Sequence, residues 1–284
     1  MKRATLWLLV TLSLSGCALP FHAAASPRDA LTVALQTMLA LKTAQADFTR
    51  DQIYHLPADY PSSLPAGLEG PPHTYKLDLS GTGEVAFPDR FHYIITVRIG
   101  PTFHTGMELI SVQGIIYEQD GVHVDFGGKV TPTWSKRDPK NLLLVDPFKT
   151  LQGLKDTVTP RDLGDTTIEG VRVHHYAMEM DKAKLIAREA AALADPGLQS
   201  ALQDVIQKGT FHIEAWIGID DHLIRRIRTD ETRSESIALR KAESDNALPV
   251  GASDQGIVAS SDQVVLNFHD FNRPVTITPP PNVR

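Results

Sequence analysis

The stretch Arg90-Phe91-His92-Tyr93-Ile94-Ile95-Thr96-Val97-Arg98-Ile99 decides the fold. In an extended chain successive side chains point to opposite faces, so Phe91, Tyr93, Ile95, Val97 and Ile99 share one side while Arg90, His92, Thr96 and Arg98 share the other. A strand with five apolar residues on one face belongs in a sheet with that face covered. Phe211, Ile213, Ala215, Ile217 and Ile219 repeat the pattern far downstream.

Working outward, Tyr75, Leu77 and Leu79 alternate with Lys76, Asp78 and Ser80, a break is expected at Gly81-Thr82-Gly83, and Pro88-Asp89 marks a turn. On the other side Met107 to Glu118 reads as a strand, Gln119-Asp120-Gly121 as its hairpin turn and Val122 to Phe126 as the return. Connections this short favour an antiparallel meander. Further strands are expected at Ala46 to Tyr54, Asp162 to Ile168, Val171 to Met180, Leu223 to Arg233, Val264 to Phe268 and Val275 to Thr278. The arginines and threonines of Leu223 to Arg233 suit an exposed face or a sheet edge. Leu56 to His73 is broken by Pro57, Pro61, Pro65, Pro71 and Pro72 and reads as a long loop. Gly127 to Asn141 reads as irregular, and Ser236 to Asp262 as a loop with ill-defined strand ends.

Four helices complete the pattern. Ser26 can cap the first, Pro27 suits its first position and Asp29 closes a capping box, ahead of Leu31, Leu35, Met38 and Leu39 on one face and an end near Lys42. Asp146-Pro147 opens a short helix with Phe148, Leu151 and Leu154 on its apolar side. Lys182 to Leu193 is helical; after Asp195-Pro196-Gly197 another helix carries Leu198, Leu202, Val205 and Ile206 and stops at Gly209. Helices of this kind cover the apolar sheet face. A filled core explains every such residue; a sheet curved enough to leave a gap would instead hold a long, greasy ligand.

The N-terminus reads as an export signal. Met1-Lys2-Arg3, the apolar run Leu6 to Leu12 and Leu14-Ser15-Gly16-Cys17 form a basic head, a segment too short to span a bilayer and small residues before a cysteine. The expected organisation is a signal peptide at 1–16, a tether at 17–25 beginning with lipidated Cys17, and a single domain at 26–284. Cys17 is the only cysteine, so no disulfide is available. Removing residues 1–16 takes away Lys2 and Arg3 but no acid, which leaves a net charge of −8. An acidic chain without a basic stripe is a poor partner for nucleic acid.

Chemistry-bearing motifs are sparse. Eleven histidines invite a metal, but His174 and His175 are neighbours that point to opposite strand faces, and no H-E-x-x-H is present. The chain lacks G-x-S-x-G and S-x-x-K, and a hydrolase would require a triad assembled from scattered loops. Gly81-Thr82-Gly83 is not a phosphate loop, because no helix with Lys and Ser or Thr follows it. No catalytic residue, metal or cofactor is expected.

An ordered series of short motifs spans the body: the capped first helix; Gly83 with Pro88-Asp89-Arg90; Glu108-Leu109-Ile110 leading to Gly114 and Tyr117; Glu214-Ala215-Trp216-Ile217 with Asp220; and Phe268-His269-Asp270-Phe271-Asn272 before Pro274-Val275-Thr276-Ile277 and Pro279. With the Cys17 motif, this series resembles the LppX/LprAFG family of lipoproteins, relatives of the LolA and LolB lipoprotein carriers. The resemblance implies an α+β fold: a strongly curved antiparallel sheet, or open half-barrel, with helices covering its concave face and a hydrophobic cavity between. It also implies non-covalent binding of a lipid or acylated ligand by a monomer attached through Cys17 to the extracytoplasmic side of the envelope, for transport or sensing, with an envelope protein as a possible partner. Strand parity then assigns the cavity walls to Tyr75, Leu77, Leu79, Phe91, Tyr93, Ile95, Val97, Phe211, Ile213, Ala215 and Ile217. The alternative is a protein-interaction or stress-sensing module with a filled core.

Overall fold

The computed structural model describes residues 26–57, 73–100, 103–124, 130–137, 145–158, 160–191, 193, 195–236, 239 and 256–284. The signal segment, Cys17 and the tether lie outside the described residues, as do most of the proline-rich loop and residues 240–255.

Eleven strands form one antiparallel sheet. They are β1 (Thr43–His55), β2 (Thr74–Ala86), β3 (Arg90–Ile99), β4 (Phe103–Val112), β5 (Ile115–Val124), β6 (Val130–Arg137), β7 (Arg161–Ile168), β8 (Val171–Glu179), β9 (Thr210–Gly218), β10 (Ile224–Ser236) and β11 (Ile257–His269). Their spatial order is β6-β5-β4-β3-β2-β1-β11-β10-β9-β8-β7. Two meanders are therefore joined where β1 pairs with β11, Ala46 facing Phe268. The outer strands β6 and β7 do not pair with each other, so the sheet stays open. Laid flat, eleven strands at about 4.8 Å spacing would span roughly 48 Å. A single cluster of buried side chains nevertheless runs from Ile116 of β5 to Tyr176 and Met178 of β8, so the sheet curls around one core. The fold is the open, curved α+β sheet that the family resemblance implied, and β3 lies in it with its apolar face covered, as its alternation required.

Among the described residues four α-helices pack with this sheet. In α1 (Pro27–Leu39) the Ser26 hydroxyl accepts from the Asp29 amide at 3.2 Å and donates to the Asp29 carboxylate at 2.8 Å. Its inward face is Ala30, Leu31, Ala34, Leu35 and Met38, while Leu39 stays 42% exposed. The helix gives way at Ala40, slightly earlier than expected. Asp146 caps α2 (Pro147–Gly153), accepting from the amides of Phe148 and Lys149, and the chain continues into a 3-10 turn at Leu154–Asp156. Asp181 and Asp195 cap α3 (Lys182–Ala190) and α4 (Pro196–Lys208) in the same way. Leu31, Leu35 and Met38 of α1 and Leu151 of α2 join the main core; α3 and α4 form a second cluster with Phe211 and Leu239.

Several local expectations give way to tertiary constraints. The chain does not break at Gly81-Thr82-Gly83, because β2 runs through it in register with β1 and β3. The glycines serve close approach: a Cβ on Gly81 would overlap the Phe48 ring, and one on Gly83 would overlap the His92 carbonyl and the Tyr93 ring. The hairpin turn is at Gln113-Gly114, whose φ values of 54° and 77° suit a two-residue loop. Gln119 and Gly121 instead flank a register shift within β5. The stretch read as irregular contains β6, an outermost strand that tolerates Pro132. β10 is not an edge, since it lies between β11 and β9, and within it Arg228 pairs with Asp230 and Arg233 with Glu231. β11 begins at Ile257, so Ala259, Ser260 and Ser261 are strand residues. Val275 to Thr278 forms no strand. That segment places Ile277 against Ile110, Val112, Tyr117 and Trp134, and the Arg90 guanidinium donates to the Ile277 carbonyl at 3.3 Å.

Candidate functional site

Register aligns the concave side chains in transverse rows. One row runs Ile95, Gly81, Phe48, Leu266, Ile227, Ala215 and Tyr176, apolar apart from the tyrosine hydroxyl. Tyr93 beside it packs edge-on against Phe48, with ring centroids 5.1 Å apart, and 5.2 Å from Phe91; Phe148 of α2 reaches Phe91 at 6.3 Å. Burial holds the Tyr93 hydroxyl far above the usual phenol pKa, with Asp146 and Asp47 adding to the effect.

All eleven residues assigned from strand parity lie on this concave face. Tyr75 is half-buried, beside Tyr54 with ring centroids 5.9 Å apart. Leu77, Leu79, Phe91, Tyr93, Ile95, Val97, Ile213, Ala215 and Ile217 are buried together in the main core, whereas Phe211 belongs to the α3–α4 cluster. Beside α1 a groove of about 360 Å³ is lined by Leu31, Leu35 and Leu39 on one side and Leu154 and Lys155 on the other.

The next rows are different, and sequence reading missed them. Val97, Leu79, Arg50, Val264, Thr229, Ile213 and Met178 form one; Ile99, Leu77, Gln52, Asp262, Glu231 and Phe211 form the next. In these two rows polar residues occupy the central strands and apolar residues the flanks. The Arg50 guanidinium forks onto Asp262, with Nε at 3.0 and 3.1 Å from the two oxygens and Nη2 at 2.5 Å. Gln52 Nε2 donates weakly to the same carboxylate at 3.4 Å, while Gln52 Oε1 is buried without a hydrogen-bond partner. Arg233 pairs with Glu231 and, at 3.4 Å, with Glu189 from α3; its guanidinium lies 5.3 Å from the Phe211 ring.

Burial pushes the Glu231 carboxyl pKa up. The Arg233 charge opposes this, and the Asp262 and Glu189 charges reinforce it. Yet 30% of the Glu231 side chain remains accessible. The Glu231 carboxyl is thus crowded by protein yet still reachable from solvent. The same parity that places Phe48 inward places Arg50 and Gln52 inward two and four residues later, and that signal was available in the sequence.

The outer face carries cross-strand histidine pairs, including His92 with Glu108 at 2.7 Å and His212 with Glu179 at 2.5 Å. His175 stacks on Trp216 with ring centroids 4.3 Å apart, and His174 turns away to Asp165. Among the described residues no three His, Cys, Asp or Glu side chains are arranged to hold a metal ion.

No protein-family model matches the chain, and neither does any curated protein sequence. Among solved structures it is similar to the lipoprotein LppX of Mycobacterium tuberculosis, with 12% identity and a TM-score of 0.42 over 89% of this chain and 100% of that one. LprF from Mycobacterium bovis gives 13% and 0.42, over 91% of this chain and 99% of the other. A putative outer membrane lipoprotein-sorting protein domain from Vibrio parahaemolyticus gives 8% and 0.23, over 87% and 93%.

Proposed function

We propose that the chain is a membrane-anchored envelope lipoprotein, held through Cys17, that binds a lipid or acyl chain non-covalently between its curved sheet and α1. The observation that carries this reading is the way α1 closes the apolar half of the concave face. Its cover is apolar packing by Leu31, Leu35 and Met38, and polar ties flank it: Arg28 donates to the Thr157 carbonyl at 2.7 Å, and the Lys42 amide donates to Asn272 at 3.0 Å. A helix held this way parts from the sheet as a unit, and a groove already separates it from the 3-10 turn at Leu154.

Magnitudes favour exchange. Giving up three buried side chains of this kind costs roughly 5–9 kcal/mol, whereas burying about 16 methylenes yields on the order of 13 kcal/mol before ordering costs. The acyl chain replaces the helix side chains against Phe91, Tyr93, Ile95 and their neighbours.

Mass spectrometry of protein purified from its native membrane without denaturation is the test, together with uptake of a fluorescent fatty acid. Co-purified lipid and saturable uptake are expected. Recovery without lipid and without uptake would overturn the reading. It would favour a protein-interaction module with a permanently filled core, for which the tight packing of Phe91, Tyr93 and Ile95 is the supporting observation.

A further inference from the structure

We propose that the polar rows of the concave face, centred on Gln52, Asp262 and Glu231, receive the primary ammonium group of an amine-bearing lipid. This deepens the acyl-binding reading and rests on it for the tail.

The three residues stand directly opposite one another on adjacent strands: Gln52 faces Asp262 across β1 and β11, and Asp262 faces Glu231 across β11 and β10. At strand spacing of about 4.8 Å they form a row roughly 10 Å long. Each offers an acceptor. Gln52 is 2% exposed and its Oε1 has no hydrogen-bond partner among the described residues, although buried amide oxygens are ordinarily satisfied. The Nε2 contact to Asp262 fixes the amide orientation, because the flipped form would set two acceptors against each other.

Charge selects the sign of the ligand. Arg50 is engaged by both oxygens of Asp262, and Arg233 by Glu231 and Glu189. Among the described residues two guanidiniums face three carboxylates here, and a phosphate or carboxylate headgroup would add to that negative charge. A primary ammonium offers three donors and one positive charge, which matches the orphaned amide oxygen and the unbalanced carboxylate. Leu77 and Ile99 on one side and Phe211 on the other extend the row in apolar surface for the chain behind the headgroup.

The probes are dodecylamine, dodecyltrimethylammonium, laurate and ethanolamine, each titrated calorimetrically into the full chain at pH 7 below its micelle-forming concentration. Dodecylamine is expected to bind at least tenfold more tightly than laurate or the trimethylated analogue, and at least a hundredfold more tightly than ethanolamine. Glu231→Gln should remove most of the preference over laurate without weakening laurate itself. If that variant fails to fold, the comparison of dodecylamine with dodecyltrimethylammonium on the unaltered chain decides alone, since it separates donors from charge. Equal binding of the three long-chain probes overturns the ammonium site and leaves the acyl-binding reading standing. Binding of none overturns both, and ethanolamine as tight as dodecylamine overturns a lipid headgroup in favour of a free amine.

Discussion

Arg50 and Asp262 form a two-pronged ion pair between adjacent strands, on a sheet face where each side chain is 15% exposed. Both charges have left most of their water, so each depends on the other. Asp262→Ala leaves a guanidinium stranded beside Leu79 and Val264 and should lower unfolding stability by about 3 kcal/mol. Replacing both partners, Arg50→Met with Asp262→Leu, should restore most of that loss. Urea denaturation of the two variants checks the pair, and a double variant no better than the single one would show that Asp262 acts through something other than Arg50.

Tyr93 puts a hydroxyl in the apolar floor with 0% exposure and no hydrogen-bond partner among the described residues. Its ring is needed between Phe48 and Phe91, but its oxygen is desolvated without compensation. Tyr93→Phe is therefore expected to stabilise the protein by about 1 kcal/mol. Thermal and urea unfolding measure it; a clear loss of stability would mean that the hydroxyl makes a contact worth keeping.

Gly83 and Gly106 are both strand glycines with opposite surroundings. A methyl on Gly83 would meet the His92 backbone, which cannot swing aside, whereas a methyl on Gly106 would meet the Ile95 carbonyl oxygen at 3.9 Å, an ordinary contact. Gly83→Ala should cost about 3 kcal/mol and Gly106→Ala less than about 0.5 kcal/mol. Similar losses for both would indicate that strand propensity, not the approach of β2 to β3, sets the requirement.

These residues also show what the sequence made legible. The alternation from Phe91 to Ile99 announced its buried face because its partners, Arg90, His92, Thr96 and Arg98, are strongly polar. Glycine carries the same local signal for a chain break as for close backbone approach, so Gly81 and Gly83 could be separated only once Phe48 and Tyr93 were in place. The polar rows were harder to find. Arg50, Gln52, Glu231 and Arg233 look like exposed strand residues, and Asp262 ends a serine-rich stretch. Strand parity with Phe48 and Ile227 gives their inward position, but their meeting in one row depends on the register of β1 with β11 and of β11 with β10, a long-range property that local pattern does not encode.

Glu231 gives the polar row a pH signature with a definite sign. Its carboxyl pKa in the folded protein lies above the ordinary value of 4.5, chiefly because it is desolvated. Below about pH 4.5 the group is protonated in both folded and unfolded chains, and its contribution to stability is fully present. As pH rises through the folded pKa, the folded protein must ionise a buried carboxyl more readily ionised in the unfolded chain, and that contribution is lost. The Asp51 carboxyl on the outer face is raised too, by burial and by Asp78, and acts in the same direction. A comparison with Glu231→Gln therefore isolates the inner group. From pH 4.5 towards 7 the urea midpoint of the unaltered protein should fall relative to that of Glu231→Gln, and parallel profiles would place Glu231 in a solvated environment. A saturating primary amine bound at the row should flatten the difference, since its charge favours the ionised carboxyl that desolvation otherwise penalises.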